Sequence, residues 1–193
     1  MNFVYKSGRE KFKKFEGIIN ICVILVKILP KSYCKGLLVF FRGIRGKKGL
    51  LIRYILLRNV CEHCGSNVSV YENVYIIDPH CLSLGNNVSI HPMCYLDAAG
   101  GLKIGNNVSI AHNTSILTPN HTWLNNDMPI KYNSMELKEI IICNDVWISC
   151  GCRIMPGVTI ESRSIIAAGA VVTKDVPNNT IVAGIPARSI KKI

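Results

Sequence analysis

The chain has 193 residues, 49% of them hydrophobic, and a formal net charge of +11. That length suits one domain with room for an appendage, and the apolar fraction is enough to build a core, which excludes a disordered chain. The charge is uneven: residues 1–59 hold fourteen Lys/Arg against Glu10 and Glu16, a balance of +12, whereas residues 60–193 hold nine basic and ten acidic residues.

Residues 1–60 read as a basic, amphipathic helical segment. Ile18–Pro30, "IINICVILVKILP", is apolar but too short to cross a bilayer, and Lys31 and Lys35 follow at once. From Leu37 to Val60 apolar residues alternate with Lys and Arg, which predicts two or three helices separated at Pro30 and at Gly43–Gly49. Stretches of this kind lie on anionic membrane surfaces or pack on a neighbouring subunit, and both readings stay open here. Nucleic acid is not expected as a partner, because no recognition motif accompanies the charge.

The nine cysteines come without a signal peptide, so the expectation is reduced thiols in a cytoplasmic protein, several of them small apolar core residues. "CEHC" (Cys61–Cys64) resembles half of a zinc site, but no second half follows at usable spacing, and no metal is expected.

From Cys64 the chain becomes periodic. "CGSNVSV" (Cys64–Val70), "LGNNVSI" (Leu84–Ile90) and "IGNNVSI" (Ile104–Ile110) return every twenty residues; "ICNDVWI" (Ile142–Ile148) and "IESRSII" (Ile160–Ile166) are eighteen apart. Inside each phrase, aliphatic residues fall six apart: Leu84, Ile90, Leu96; Ile104, Ile110, Ile116; then Ile142, Ile148, Ile154, Ile160, Ile166 and Val172. Four residues after each of most of these comes a small or β-branched side chain, such as Val88, Cys94, Thr114, Cys152 or Ser164. A helix would need spacings of three and four, and a hairpin sheet long alternations, so neither fits. Six residues make one short strand and one corner, and three hexads close a triangular coil of eighteen. About five coils are expected between Cys64 and Pro177, with Gly and Asn at the corners and two extra residues at one corner of each twenty-residue coil. His80 falls at an inward-tending position of this register.

The rhythm stops between Ile116 and Ile140. Residues 118–139 are polar, contain Pro and Asn, and read as a loop extruded from one corner of the stack; loops of that size in a compact domain tend to be functional. His121 stands at its root, held by a rigid coil yet open to a cleft. Histidine is the side chain suited to proton transfer near neutral pH. A base of this kind works best when its other ring nitrogen is oriented by an acceptor, for which Asp97 in "YLDAAGG" is chosen, with Glu136 and Glu139 as alternatives and a turn-forming role for Asp97 equally open. His91, thirty residues upstream of His121, is held in reserve.

The hexads, "NDVWI", "PGVTI", "AAGAVVTKDVPNNTIVAGIPARSIKK" and the histidine-headed loop resemble the hexapeptide-repeat acyltransferases over roughly Cys64–Ile193, and most closely the sugar and polysaccharide O-acetyltransferases, which include galactoside and maltose acetyltransferases. The resemblance implies a mainly β fold, a left-handed parallel β-helix over residues 61–186. It also implies a homotrimer and direct acetyl transfer from acetyl-CoA to a sugar hydroxyl, with His121 as general base and no metal. By the same resemblance Trp147, Cys150, Ala168, Thr173, Lys174, Arg188 and Lys191 fall on acetyl-CoA contact positions; the three cations also have a logic of their own, since phosphates call for them. Cys150 as a covalent nucleophile has no visible base to activate it. Residues 187–193 are expected to form a short helix after Pro186. N-acetylation of an amino sugar or a xenobiotic, and an inert β-helix serving as a membrane or assembly module, remain as alternatives.

Overall fold

The computed structural model describes residues 8–193, so the first seven residues of the basic segment lie outside it. Three helices come first: α1 over Gly8–Val26, α2 over Lys31–Phe40 and α3 over Gly46–Val60. They break where the sequence predicts, at Pro30 and in the glycine-containing stretch around Gly43 and Gly46; Gly46 has φ +71°, a left-handed conformation that glycine adopts without strain. Phe12, Ile19, Val23 and Val26 of α1 share one helical face and turn into the helical core, with Phe12 edge-on to Tyr54 of α3 at 5.5 Å.

The rest is a parallel β-helix of three faces. The first face stacks the strands His63–Cys64, Leu82–Leu84, Leu102–Ile104, Ile140–Ile142 and Thr159–Ile160. The second runs from Ser69–Val70 through Trp147–Ile148 and Ile165–Ile166 to Thr180–Ala183, and the third from Tyr75–Ile77 to Val171–Val172. These make five full coils and the start of a sixth. Register is in phase throughout: Ile90 sits on Ile110, Ile110 on Ile148 and Ile148 on Ile166. All the six-spaced aliphatics are buried, as are Thr114 and Ser164 at the positions that follow, so the hexad register is the interior of the prism. The two extra residues of the longer coils lie between the third and first faces, at Asp78–Cys81 and Ala98–Gly101.

Corners are built from side-chain amides. Asn67, Asn87, Asn107, Asp145 and Arg163 all have φ between 53° and 57°, a region that Asn and Asp tolerate better than most residues. The Asn67 amide donates to Asn87 and that of Asn87 to Asn107, each at 3.0 Å, while Asn86, Asn106 and Asn144 accept backbone N–H groups from the coil before. At Gly65, Gly85 and Gly105 the next coil passes so close that a Cβ would lie under 3 Å from its backbone or asparagine side chain, which leaves room only for glycine.

Helices and coils are joined by Arg53. Its guanidinium is buried and donates to the carbonyls of Val70, Phe41, Arg42 and Ile44 at 2.7–3.2 Å, tying the first coil to the chain between α2 and α3. Burial pulls its pKa below the ordinary arginine value, offset in part by Glu72. The Tyr54 hydroxyl donates to the Gly65 carbonyl beside it.

Two expectations are corrected. Arg188–Lys192 is a strand and not a helix, antiparallel to Thr180–Ala183 with Ala183 opposite Arg188 and Ile181 opposite Lys191. A seven-residue tail cannot support helix nucleation by itself, whereas the outer edge of the last coil offers a ready row of unpaired backbone groups. His80 is exposed, in a short 3₁₀ turn between buried Pro79 and Leu82, with Asp78 and Lys35 as neighbours; the two extra residues of that coil displace it from the inward register.

Candidate active site

Residues 118–139 form a hairpin with its own ladder, more ordered than the sequence indicates. Pro119–His121 pairs antiparallel with Met135–Leu137, with His121 opposite Met135. Thr118 anchors the root: fully buried, it donates its hydroxyl to the Asp97 carbonyl at 2.8 Å and accepts the Gly100 N–H at 2.8 Å, and its own carbonyl receives the Lys138 N–H. A Cβ on Gly100 would fall 2.8 Å from the Lys138 nitrogen, so the hairpin needs glycine beneath it. Asn133, buried, ties the far end through the Asn125 N–H and the carbonyls of Asn125 and Met128. Lys103–Glu139 at 2.7 Å and Lys138–Glu136 at 3.0 Å pin the returning strand. Neither Thr118 nor Asn133 stood out in the sequence; the signal for Thr118 was its place two residues after the inward Ile116, matching Ala98 after Leu96.

On this support His121 is exposed, and among the described residues its imidazole has no hydrogen-bond or ion-pair partner. Asp97 is one strand below; its carboxylate accepts the Ala99 N–H at 3.1 Å, forming the turn. Glu136 and Glu139 face lysines. The structure therefore does not bring an acidic side chain onto His121.

The positions matched to the acyl donor lie elsewhere on the prism. Cys150 and Ala168 occupy consecutive rungs of the corner between the second and third faces, joined by the Gly169 N–H to the Cys150 carbonyl at 2.9 Å. Gly151 and Gly169, both at φ +71°, keep that corner free of bulk. Trp147 stands outward on the second face, 51% exposed, against a groove of about 340 Å³ that also involves Ser109, Asp145, Arg163, Ile165 and Ile193. Thr173 and Lys174 are exposed just after Val171–Val172, and Arg188 and Lys191 project from the C-terminal strand. Arg188 and Lys191 thus lie on the strand that edges the second face, whereas Lys174, which follows the third-face strand, stands toward the corner between the third and first faces.

His91 packs flat on Tyr71, ring centroids 4.8 Å apart, and its pKa is lowered by burial and by nearby His112. The nine cysteines are unpaired; burial, reinforced by the neighbouring Cys64, pushes the Cys61 thiol far up, and burial takes that of Cys64 up to about 12, so "CEHC" is a pair of inert core thiols.

Comparison with known proteins agrees with the fold. The family model for bacterial transferase hexapeptide (six repeats) matches residues 139–174. A crystal structure of a maltose O-acetyltransferase from Clostridium difficile 630 is 30% identical, with 87% of this chain and 88% of that one covered and a TM-score of 0.74. A galactoside acetyltransferase in complex with coenzyme A is 31% identical over 84% of this chain and 80% of its own, with a TM-score of 0.76. The galactoside O-acetyltransferase of Escherichia coli K12 is 48% identical over 63 residues, 33% of this chain and 31% of that protein. The chain belongs to the hexapeptide-repeat acetyltransferase family, and its prism is the left-handed β-helix of that family. The matched segments span only 26% to 41% of the first curated relatives.

Proposed function

We propose that the protein is an acetyl-CoA-dependent O-acetyltransferase acting on a sugar hydroxyl, with His121 as general base. The observation that carries this reading is the single break in an otherwise unbroken stack: a braced hairpin whose first strand ends on an exposed, unengaged imidazole. In the proposed reaction the acceptor hydroxyl gives its proton to His121 as its oxygen attacks the thioester carbonyl. The negative charge that develops on that carbonyl oxygen is met by backbone N–H groups at the Cys150 corner, and coenzyme A leaves as the thiol. Lys174, Arg188 and Lys191 would hold the donor's phosphates, and Trp147 would wall the cleft.

The hairpin springs from the corner between the third and first faces, whereas Cys150 and Ala168 lie at the corner between the second and third. One chain keeps base and donor groove a full prism face apart, which favours a homotrimer in which the His121 of one copy faces the groove of the next. Trp123, Leu124, Ile130 and Tyr132, all more than 60% exposed on the hairpin, supply apolar surface for that contact. Acetyl-CoA as donor favours a cytoplasmic reaction, and a polysaccharide precursor is the acceptor this reading adopts.

The test is a mass-spectrometric acetylation screen of sugars and amino sugars with acetyl-CoA. Wild-type protein should add one acetyl group to a hydroxyl, and His121→Ala, with unchanged circular dichroism, should lose about 10²–10⁴-fold in rate. An unchanged rate would remove His121 from the chemistry, and acetylation confined to amines would replace the O-transfer reading.

A further inference from the structure

Helix α1 carries two apolar faces and the fold uses one. Ile19 and Val23 are buried against the helical core, but Ile18, Ile21, Ile24, Leu25 and Ile28 are 59–79% exposed. Phe15, Ile18, Ile21, Leu25 and Ile28 recur at steps of three and four, which aligns them along one side of the helix and the turn that follows it. Lys13 and Lys14 stand at one end of this strip, Lys27 and Lys31 at the other, all exposed. None of the four has an ion-pair partner among the described residues.

Two occupants could cover such a strip, and charge separates them. A second copy would bring more of the same sign: residues 1–59 carry +12, and the body is close to neutral. Several acids of that body are already engaged, Glu139 with Lys103 and Glu136 with Lys138. A bilayer rich in acidic headgroups offers what the strip lacks, an apolar layer for the isoleucines under a negative layer for the lysines. No helix among the described residues is long and apolar enough to cross a membrane, so the geometry is that of a helix lying in the headgroup plane.

We infer that α1 docks the protein on an anionic lipid surface through Phe15, Ile18, Ile21, Leu25 and Ile28, with the flanking lysines on the headgroups. The docking is independent of acetyl transfer, so it is read without acetyl-CoA. In a flotation assay the full chain should rise with vesicles of phosphatidylcholine and phosphatidylglycerol and bind pure phosphatidylcholine roughly tenfold less. The double variant Ile21→Ser/Leu25→Ser should lose roughly tenfold in binding to the acidic vesicles, with the assembly state and the hydrolysis-corrected transfer to a water-soluble acceptor unchanged. Lys14→Gln/Lys27→Gln should weaken binding and its salt dependence together. Wild-type affinity in the serine variant would overturn the inference, as would a change in assembly state, which would assign the strip to contact between copies. Equal binding to neutral vesicles would overturn the role of charge.

Discussion

The coils and the helices both bury aliphatic side chains, but only the coils bury nearly all that they have. In the prism every six-spaced Ile, Leu or Val is covered by the residue one coil above or below, because each coil presents its neighbour with a copy of its own surface. A helix laid on the end of a stack has a neighbour on one side only. Ile19 and Val23 find theirs, while Ile18 and Ile21, separated from them by more than a quarter of a turn, do not. Repetition guarantees burial in one region; in the other, what is left bare is available for contact with something outside the chain.

The sharpest way to break this contrast is to charge the repeat. Ile148 is fully buried between Ile110 and Ile166, so Ile148→Asp places a carboxylate where no partner can reach it and should abolish folding. Soluble protein with an unchanged circular dichroism spectrum would refute the inward assignment. A smaller effect is expected at the junction. Arg53→Leu removes the guanidinium from four carbonyls, of which those of Phe41 and Arg42 keep a backbone N–H from Ile44 and Asn73, and should cost about 3 kcal/mol and loosen the helices from the first coil. Hydrogen exchange should rise in α2 and α3 and stay unchanged in the later coils; a uniform rise would mean the helices and coils melt as one. The smallest effect concerns His91. Its depressed pKa means that the unfolded chain takes up the proton first as acid is added. The stabilisation is therefore complete above the ordinary value of 6.5 and is lost as pH falls from there through the lower folded value. His91→Gln should flatten the change in melting temperature between about pH 7.5 and about pH 5, and an unaltered slope would place that pH dependence on another group.

Much of the prism could be read from the chain because each inward residue is announced by a twin six residues away, and the corner asparagines by their fixed place before Val88, Val108 and their equivalents. The break at 118–139 was visible for the same reason. What could not be read depended on pairings with no repeat to announce them. Thr118 holds the hairpin through the carbonyl of a residue twenty-one positions earlier, and the tail's choice of strand over helix was made by the edge it met. Asp97 illustrates the limit at the site: its residue type permits either a partner for His121 or a turn, and the nearest N–H, on Ala99, took the carboxylate. Sequence periodicity marks α1 as apolar and cannot tell which of its faces the fold will cover.

The antiparallel strand Arg188–Lys192 has a consequence for how large the object can grow. A stack of identical coils has no intrinsic reason to end, and an open terminal rung is a template on which another molecule could continue it. Here the last rung of the second face is occupied by the protein's own tail running the wrong way, with lysines at 191 and 192, and the first coil sits under α3. On the second face a following copy would thus meet a reversed, lysine-bearing strand in place of a coil's own surface, which disfavours continuing the stack along that face.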